Sequence, residues 1–461
     1  MRIAVAGAGI SGLTIAYAIQ EKFSAAGKPA EIFLLEANGR VGGKIRTHRE
    51  NGYVMEWGPN GFLNNKPDTL ELCAKLGIDR YLLLSNDAAR KRFIYSGGRL
   101  RKLSPGGFVL GGLLTWGGKL RILGEPFIPK KADDSDESLA GFVRRRLGPE
   151  ALDKLIGPMA QGVYGGDPET MSLKSCFPLI YTLEKEYGGL IKGMFGKMSD
   201  KKKEKKTKSG PAGPGGVLTS FEGGLDILTD SLGAAFTGEL LLDSPVAKVT
   251  PGDGGGFNIY AGGGDTPLKA DVFVSAAPAY AASEFISPLD QSAAATLGEI
   301  GYAPMAVLGM GFDQKEVGNP LDGFGFLVAL SEGKKLIGCL WDSSVFKGRA
   351  PSGKASIRCM AGGGRDVVTP SLPDWELTSV TLAELHEMMG LAGQPELVKI
   401  FRHEKAIPMY TLGHSERLDR LDAAERKHPG LFFGGNALRG VGLNDCVKDA
   451  YAVAEKVMGV V

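Results

Sequence analysis

A chain of 461 residues holds material for about two to three domains at roughly 150 residues each, and its 43% of apolar residues can form a substantial core. Lys and Arg number 54 against 52 Asp and Glu, a formal charge of +2, which argues against a broad nucleic-acid footprint. The five cysteines stand far apart without CxxC spacing, so neither a disulfide framework nor a zinc site is suggested, and a reducing compartment is the simpler expectation.

Met1 runs almost directly into a buried-type strand, Ile3 to Ala6, with no basic leader and no cleavable apolar stretch, so no secretion signal is expected. No uninterrupted run of about 18 apolar residues occurs, so no transmembrane span is expected. A glycine loop follows the strand. Leu13, Ala16, Tyr17 and Ile19 then recur at helical spacing, and "AEIFLLE" forms a second strand ending in Glu36. This is the opening of a doubly wound α/β unit. Residues 104–200 read mainly helical. Within them "FVLGGLLTWGGKLRIL" (108–123) mixes Leu and Trp with basic residues, which fits either core helices or an interfacial membrane patch. The lysine run and Pro/Gly stretch of 201–216 read as a flexible insertion, either a solvated linker or a contact with anionic lipid. From 217 short strands with glycine turns return, ending in Val272 to Ser275. "MAVLGMGF", "GFGFLVAL" and "IGCLWDSSVF" read as sheet strands, "LTSVTLAELHEMMGL" as a helix, and the chain closes on strand, glycine loop and helix.

Nucleotide-binding texture therefore appears at the start, middle and end, which predicts a discontinuous domain. Residues 1–89, 217–290 and 406–461 form its three parts, 90–103 and 291–405 a mixed-sheet substrate domain, 104–200 a helical, membrane-associated subdomain, and 201–216 the loop.

Gly7, Gly9 and Gly12 form GxGxxG between strand and helix, the arrangement that lets backbone approach a pyrophosphate at a helix N-terminus. Glu36, at a strand end, can accept ribose hydroxyl groups. Arg40-Val-Gly-Gly43 follows too closely to begin a new strand–helix unit. A loop of this kind places bare backbone and a guanidinium beside the middle of a dinucleotide. "EWGPNGF" (56–62) adds a further Gly/Pro loop, and "GGNALRGVGL" precedes the last helix, whose N-terminus could face a reduced flavin. Together these favour an extended FAD over NAD.

GxGxxG, the strand-end Glu, RxGGxxxT and the terminal GGN…GVGL resemble the monoamine-oxidase/phytoene-desaturase superfamily of FAD enzymes. "GYVMEWGPNGFL", "KRFIYSGGRLRKLS", "QGVYGGDPETMSLKSCFP", "DGFGFLV", "FKGRAP" and "GGNALRGVGLNDCV" narrow the resemblance to its protoporphyrinogen oxidase family, nearly end to end. The resemblance implies a Rossmann-like FAD domain of the glutathione-reductase/amine-oxidase type. It also implies FAD contacts from Gly7, Ala8, Gly9, Ile10, Ser11, Gly12, Leu35, Glu36, Arg40, Gly42, Gly43, Lys44, Gly58, Pro59, Asn60, Gly61, Val246, Asn436, Val441, Gly442 and Leu443. On the substrate side it implies Arg92 for a propionate, the Gly162 carbonyl facing a tetrapyrrole, and Phe346 stacked on a pyrrole ring. The strand carrying Phe326 and Leu327 is expected as the opposite wall, with its inward side chain left open. Read alone, Arg92 is a surface arginine in a basic hairpin and Phe346 a core residue. The implied reaction is oxidation of protoporphyrinogen IX to protoporphyrin IX by FAD and O2, giving H2O2, in haem biosynthesis. Coproporphyrinogen III is the alternative substrate and amine oxidation the third reading. No catalytic acid or base and no metal site is nominated, and the five histidines have no ligand spacing. The implied setting is cytoplasmic, with a peripheral, monotopic seat on a membrane surface and a homodimer both left open.

Overall fold

The computed structural model describes residues 1–104, 111–203 and 216–460. Its central element is a five-stranded parallel sheet in the order Glu239–Leu241, Glu31–Leu35, Arg2–Ala6, Val272–Ser275, Leu431–Phe433. Strands from the beginning, middle and end of the chain thus lie side by side. Ile3 is level with both Ile32 and Val272, and Val274 with Phe432.

Alternate side chains of these strands enter different cores, as a two-residue period requires. Ile3, Val5, Leu34, Val274 and Phe432 pack under the first helix, Ile10–Ala25, and the last, Leu443–Met458. Ala4, Ala6, Phe33, Leu35 and Phe273 pack on the other face, against the antiparallel meander Val246–Pro251, Phe257–Ala261, Leu268–Ala270 and the helices Ala279–Ile286 and Gln291–Gly298. Burial on both faces explains why these strands are apolar without alternation.

A seven-stranded mixed sheet stands beside this unit. Its order is Leu397–Pro408, Tyr302–Asp313, Lys354–Gly362, Leu336–Leu340, Gly325–Val328, Arg92–Tyr95, Leu100–Leu103. Every neighbouring pair is antiparallel except Arg92–Tyr95 against Gly325–Val328. The strand expected over "IGCLWDSSVF" ends at Leu340, because Asp342–Val345 turns into a short helix. The helix Asp374–Met389 covers one face of the sheet through Leu377, Leu385 and Met388.

The described part of 111–203 is helical, including Trp116–Leu123, Leu139–Arg146, Pro178–Tyr187 and Leu190–Lys203. Thr115, Ser138 and Ser172 each accept an N–H three residues on, the side-chain cap that starts a helix. The expected leucine-rich helix begins only at Trp116, and its first residues, 108–110, lie outside the described residues. Leu190–Lys203 extends past the expected loop boundary at 201; 204–215 lie outside the described residues. Among the described residues no helix is long and apolar enough to cross a membrane.

Candidate active site

The first glycine turn is dictated by close approach. Gly7 has φ +98°, and a Cβ on it would stand 3.1 Å from the Ala276 backbone. A Cβ on Gly12 would lie 1.7 Å from the Gly7 carbonyl oxygen, an impossible contact. Gly9 differs: the nearest atom to its added Cβ is Gly43 Cα at 3.9 Å, so no close protein contact dictates its glycine, and approach of a ligand to its backbone is the reason that remains. Gly9 also caps the first helix without a side chain, leaving the first-turn N–H groups of Ile10, Ser11 and Gly12 for an anion. The strand before Glu36 is held here by Gly7 N–H donating to Leu35 O at 2.7 Å. The buried Glu36 carboxylate accepts from Ala8 N–H at 2.8 Å and from Asn38 N and Nδ2 at 3.0 and 2.6 Å. The backbone leading to Val246 is tied to the same place, since Ser244 N–H donates to Glu36 O at 2.8 Å.

The second glycine loop lies on the first. Gly42 N–H donates to Ala8 O at 2.8 Å, and a Cβ on Gly43 would be 3.2 Å from Gly9 Cα. The Arg40 guanidinium, expected beside the middle of the cofactor, is tied to its own loop. It bonds Val41 O at 2.8 Å and Gly43 O at 2.7 Å, stapling its own loop. Burial, and then Arg46, lower its pKa. Lys44 is pulled down to about 8 by burial; its ammonium donates to Ala406 O and sits 5.1 Å from the Tyr302 ring.

The third loop packs on the second. A Cβ on Gly58 would be 2.6 Å from Lys44 O, and one on Gly61 2.3 Å from Thr219 O. Between them Pro59 is exposed and Asn60 buried. The closing loop arrives from the far end of the chain, with Gly435 3.9 Å from Ser11 Cβ by the same construction. Tyr410 OH donates to Asn436 O at 2.7 Å and accepts from Gly440 N–H at 2.8 Å, and its ring stacks on His414 at 4.0 Å. Val441 packs against the helical region, and Gly442 caps the closing helix at Leu443 without a side chain. The loops expected to share one cofactor therefore form one cradle. The space at Gly9, the uncapped helix start and the Glu36 carboxylate fit a dinucleotide.

On the substrate side the picture is mixed. A Cβ on Gly162 would be 2.7 Å from Leu327 Cδ2, so these two expected walls meet face to face. Arg92 is exposed at the start of its strand, its guanidinium 5.2 Å from the Phe324 ring. Phe326 points away: strand alternation sends it, 3% exposed, into the core with Phe312, Ile357 and Leu385. Phe346 is corrected as well. It is 1% exposed, packed against Leu83, Leu218 and Phe324 with the Arg349 guanidinium 5.3 Å from its ring, so no face is free to stack on a ligand. Phe324, which sequence reasoning missed, is the half-buried aromatic between Arg92 and Phe346. Also missed were the charges behind the third loop, Glu56, Asp342, Arg349 and Arg358; only the position of Glu56 at the head of "EWGPNGF" could have signalled them.

Such a fold, with glycine loops converging on a dinucleotide cradle beside a mixed-sheet domain, defines a flavin-dependent oxidoreductase. The family model described as flavin containing amine oxidoreductase matches residues 10–458, and the chain belongs to that family. It is 30% identical to the Bacillus subtilis protein named coproporphyrinogen III oxidase, over 98% of this chain and 96% of the relative. It is 32% identical to the Arabidopsis thaliana protein named protoporphyrinogen oxidase 1, chloroplastic, over 98% of this chain and 87% of the relative. A crystal structure from Exiguobacterium sp. 255-15, provisionally titled a protoporphyrinogen oxidase, superposes with a TM-score of 0.84 at 26% identity, covering 99% of this chain and 98% of that one. The protein is an oxidoreductase and its cofactor is FAD.

Proposed function

We propose that the protein oxidises protoporphyrinogen IX to protoporphyrin IX with O2 as acceptor, yielding H2O2, as a step of haem biosynthesis. The observation that carries this reading is the Gly162–Leu327 contact beside the cradle. It sets a glycine backbone directly against an aliphatic side chain, and movement of Leu327 alone would open a flat, apolar face there for a macrocycle. The name of the Arabidopsis thaliana relative points the same way. Bound FAD supplies the hydride acceptor. The chain holds the substrate: Arg92, exposed at the edge and unencumbered by a carboxylate among the described residues, can grip a propionate through its planar fork. No side chain is assigned to proton transfer, because an electron-rich macrocycle needs orientation and dryness more than an acid or base.

Coproporphyrinogen III is the second reading. The relatives of that name from Bacillus subtilis and Staphylococcus aureus are matched over 96% and 98% of their length, against 87% for the Arabidopsis thaliana relative. Feeding the FAD-loaded protein each porphyrinogen, with porphyrin fluorescence and peroxide followed together, tests both. Turnover of neither substrate defeats the proposal, and faster turnover of coproporphyrinogen III installs the second reading.

We also propose that the helical region rests on one membrane leaflet from the cytoplasmic side. Trp116, Leu120, Leu123 and Phe127 are 61–88% exposed, and Leu179, Met194 and Phe195 add to the apolar surface of the same region. Co-sedimentation with anionic vesicles is the expected result; full recovery in the supernatant at low salt counts against it.

A further inference from the structure

Four charged side chains meet where the loop 56–62 joins the seven-stranded sheet: Glu56, Asp342, Arg349 and Arg358, none more than 3% exposed. Charges buried so deeply must be paired. Arg349 Nη2 lies 3.3 Å from Glu56 Oε1, and Arg358 Nε 3.4 Å from Asp342 Oδ2. Glu56 is otherwise occupied, accepting from Thr47 Oγ1 at 2.7 Å and Leu225 N–H at 2.9 Å. The second pair instead reaches into the loop. Arg358 Nη1 donates to Gly58 O at 2.8 Å, and Asn60 Nδ2 donates to Asp342 Oδ1 at 3.1 Å.

The ion pair with Arg358 gives the direction of the Asn60 amide: an ionised carboxylate only accepts, so Asp342 meets the amide through Nδ2 and leaves Oδ1 on the other branch. Burial raises the pKa of the Asp342 carboxyl, while Arg358 and Arg349 work against that rise. Asn60 is 8% exposed, yet its Oδ1 is buried without a partner among the described residues. A buried acceptor left open is uncommon and expensive. This one sits two residues from Gly58, which is packed on the cofactor cradle.

We propose that Asp342 is a positioning residue: by taking the amide nitrogen of Asn60 while Arg358 clamps Gly58, it presents Asn60 Oδ1 as acceptor for a ring N–H of the molecule bound in the site. Two ring systems offer such a group, the isoalloxazine of FAD and the pyrroles of a tetrapyrrole. The inference rests on the loop lying against the bound molecules and not on which porphyrinogen is oxidised.

The FAD-loaded enzyme is compared with Asp342→Asn, Asn60→Leu and the double variant. One readout is the visible spectrum and reduction potential of bound FAD, titrated chemically without substrate; the other is affinity for protoporphyrin IX. Asp342→Asn offers its own amide donor, so Asn60 can turn over and lose its aim. Both single variants are expected to shift the flavin bands and potential if the donor is FAD, or to weaken protoporphyrin IX about tenfold if it is the tetrapyrrole, with the double variant no worse than Asn60→Leu alone. Wild-type readouts in either single variant, or multiplying effects in the double, overturn the proposal. If Asp342→Asn does not retain FAD, Arg358→Lys replaces it: a smaller shift in the same direction is expected, and none overturns the inference. Protoporphyrin IX failing to bind the wild type would defeat the substrate reading and leave the flavin arm intact.

Discussion

Two buried ion networks in this molecule look alike and are finished differently. In the helical region Arg146 and Glu125 are fully buried, with Glu184 beside them. Arg146 spends its donors on Glu125, Glu184, Ile128 O, Pro129 O and Gly188 O. Glu125 in turn accepts from Leu190 and Ile191 N–H at 2.8 and 3.1 Å, where a helix begins. Behind the third loop, by contrast, Asn60 Oδ1, Arg349 Nε and Arg358 Nε have no hydrogen-bond partner among the described residues. A closed network specifies packing and asks for nothing more. The one left open behind the third loop is the one on which the proposed role of Asn60 rests.

Arg146→Met should have the largest effect, since it strands the buried Glu125 carboxylate. A loss of about 3–5 kcal/mol in unfolding free energy is expected, with the flavin spectrum of the folded fraction unchanged. A loss below about 1 kcal/mol in urea titration would erase the distinction drawn between the networks. Next in size is Arg92→Ala, outside both networks, which should raise the KM for a propionate-bearing substrate about tenfold, or ~1.4 kcal/mol, without moving Tm.

Acid should separate the networks by sign. Burial would raise Glu125 and Glu184, but N–H donors and Arg146 outweigh it at Glu125, and Arg145 and Arg146 at Glu184; both end below the ordinary range. Their contribution is present above the unfolded pKa and is lost as pH falls through the folded one. Glu56 and Asp342 are raised by burial. Their contribution is greatest below the unfolded pKa and is lost as pH rises through the folded one. Glu184→Gln should therefore flatten the acid limb of a Tm–pH curve, whereas Asp342→Asn should compare best with the wild type toward neutral pH. Parallel curves for the two variants would contradict this. The smallest effect belongs to the surface: Trp116→Ser with Leu120→Ser should change stability by no more than about 0.5 kcal/mol yet reduce vesicle co-sedimentation.

The cradle was legible in the sequence because its constraints are local. Gly12 is a glycine since a Cβ would strike the Gly7 carbonyl in the same turn, and Gly7 turns at φ +98°, so those requirements are written in GxGxxG itself, whereas the closeness of Gly7 to Ala276 is not. Glu36 and the glycine pair at 42–43 follow from the same short stretch. Alternation along "GFGFLV" showed that Phe326 and Leu327 face opposite ways but not which of them meets Gly162. Read alone, Phe346 is a core residue, as it is in the fold, and only the resemblance places it on a ligand; the partners of Arg40 were not legible, because where a side chain finds its partner is not a property of its neighbours in sequence.

The sequence by itself thus determined the dinucleotide turn, the flavin family and the order of the elements, all consequences of backbone sterics and hydrophobic period acting over short spans. Only the tertiary structure decided that Asp342 would meet Asn60, 282 positions away, and that the acceptor beside it would be left open. Pairings across such separations are set by how two sheets dock, and no local spacing encodes them.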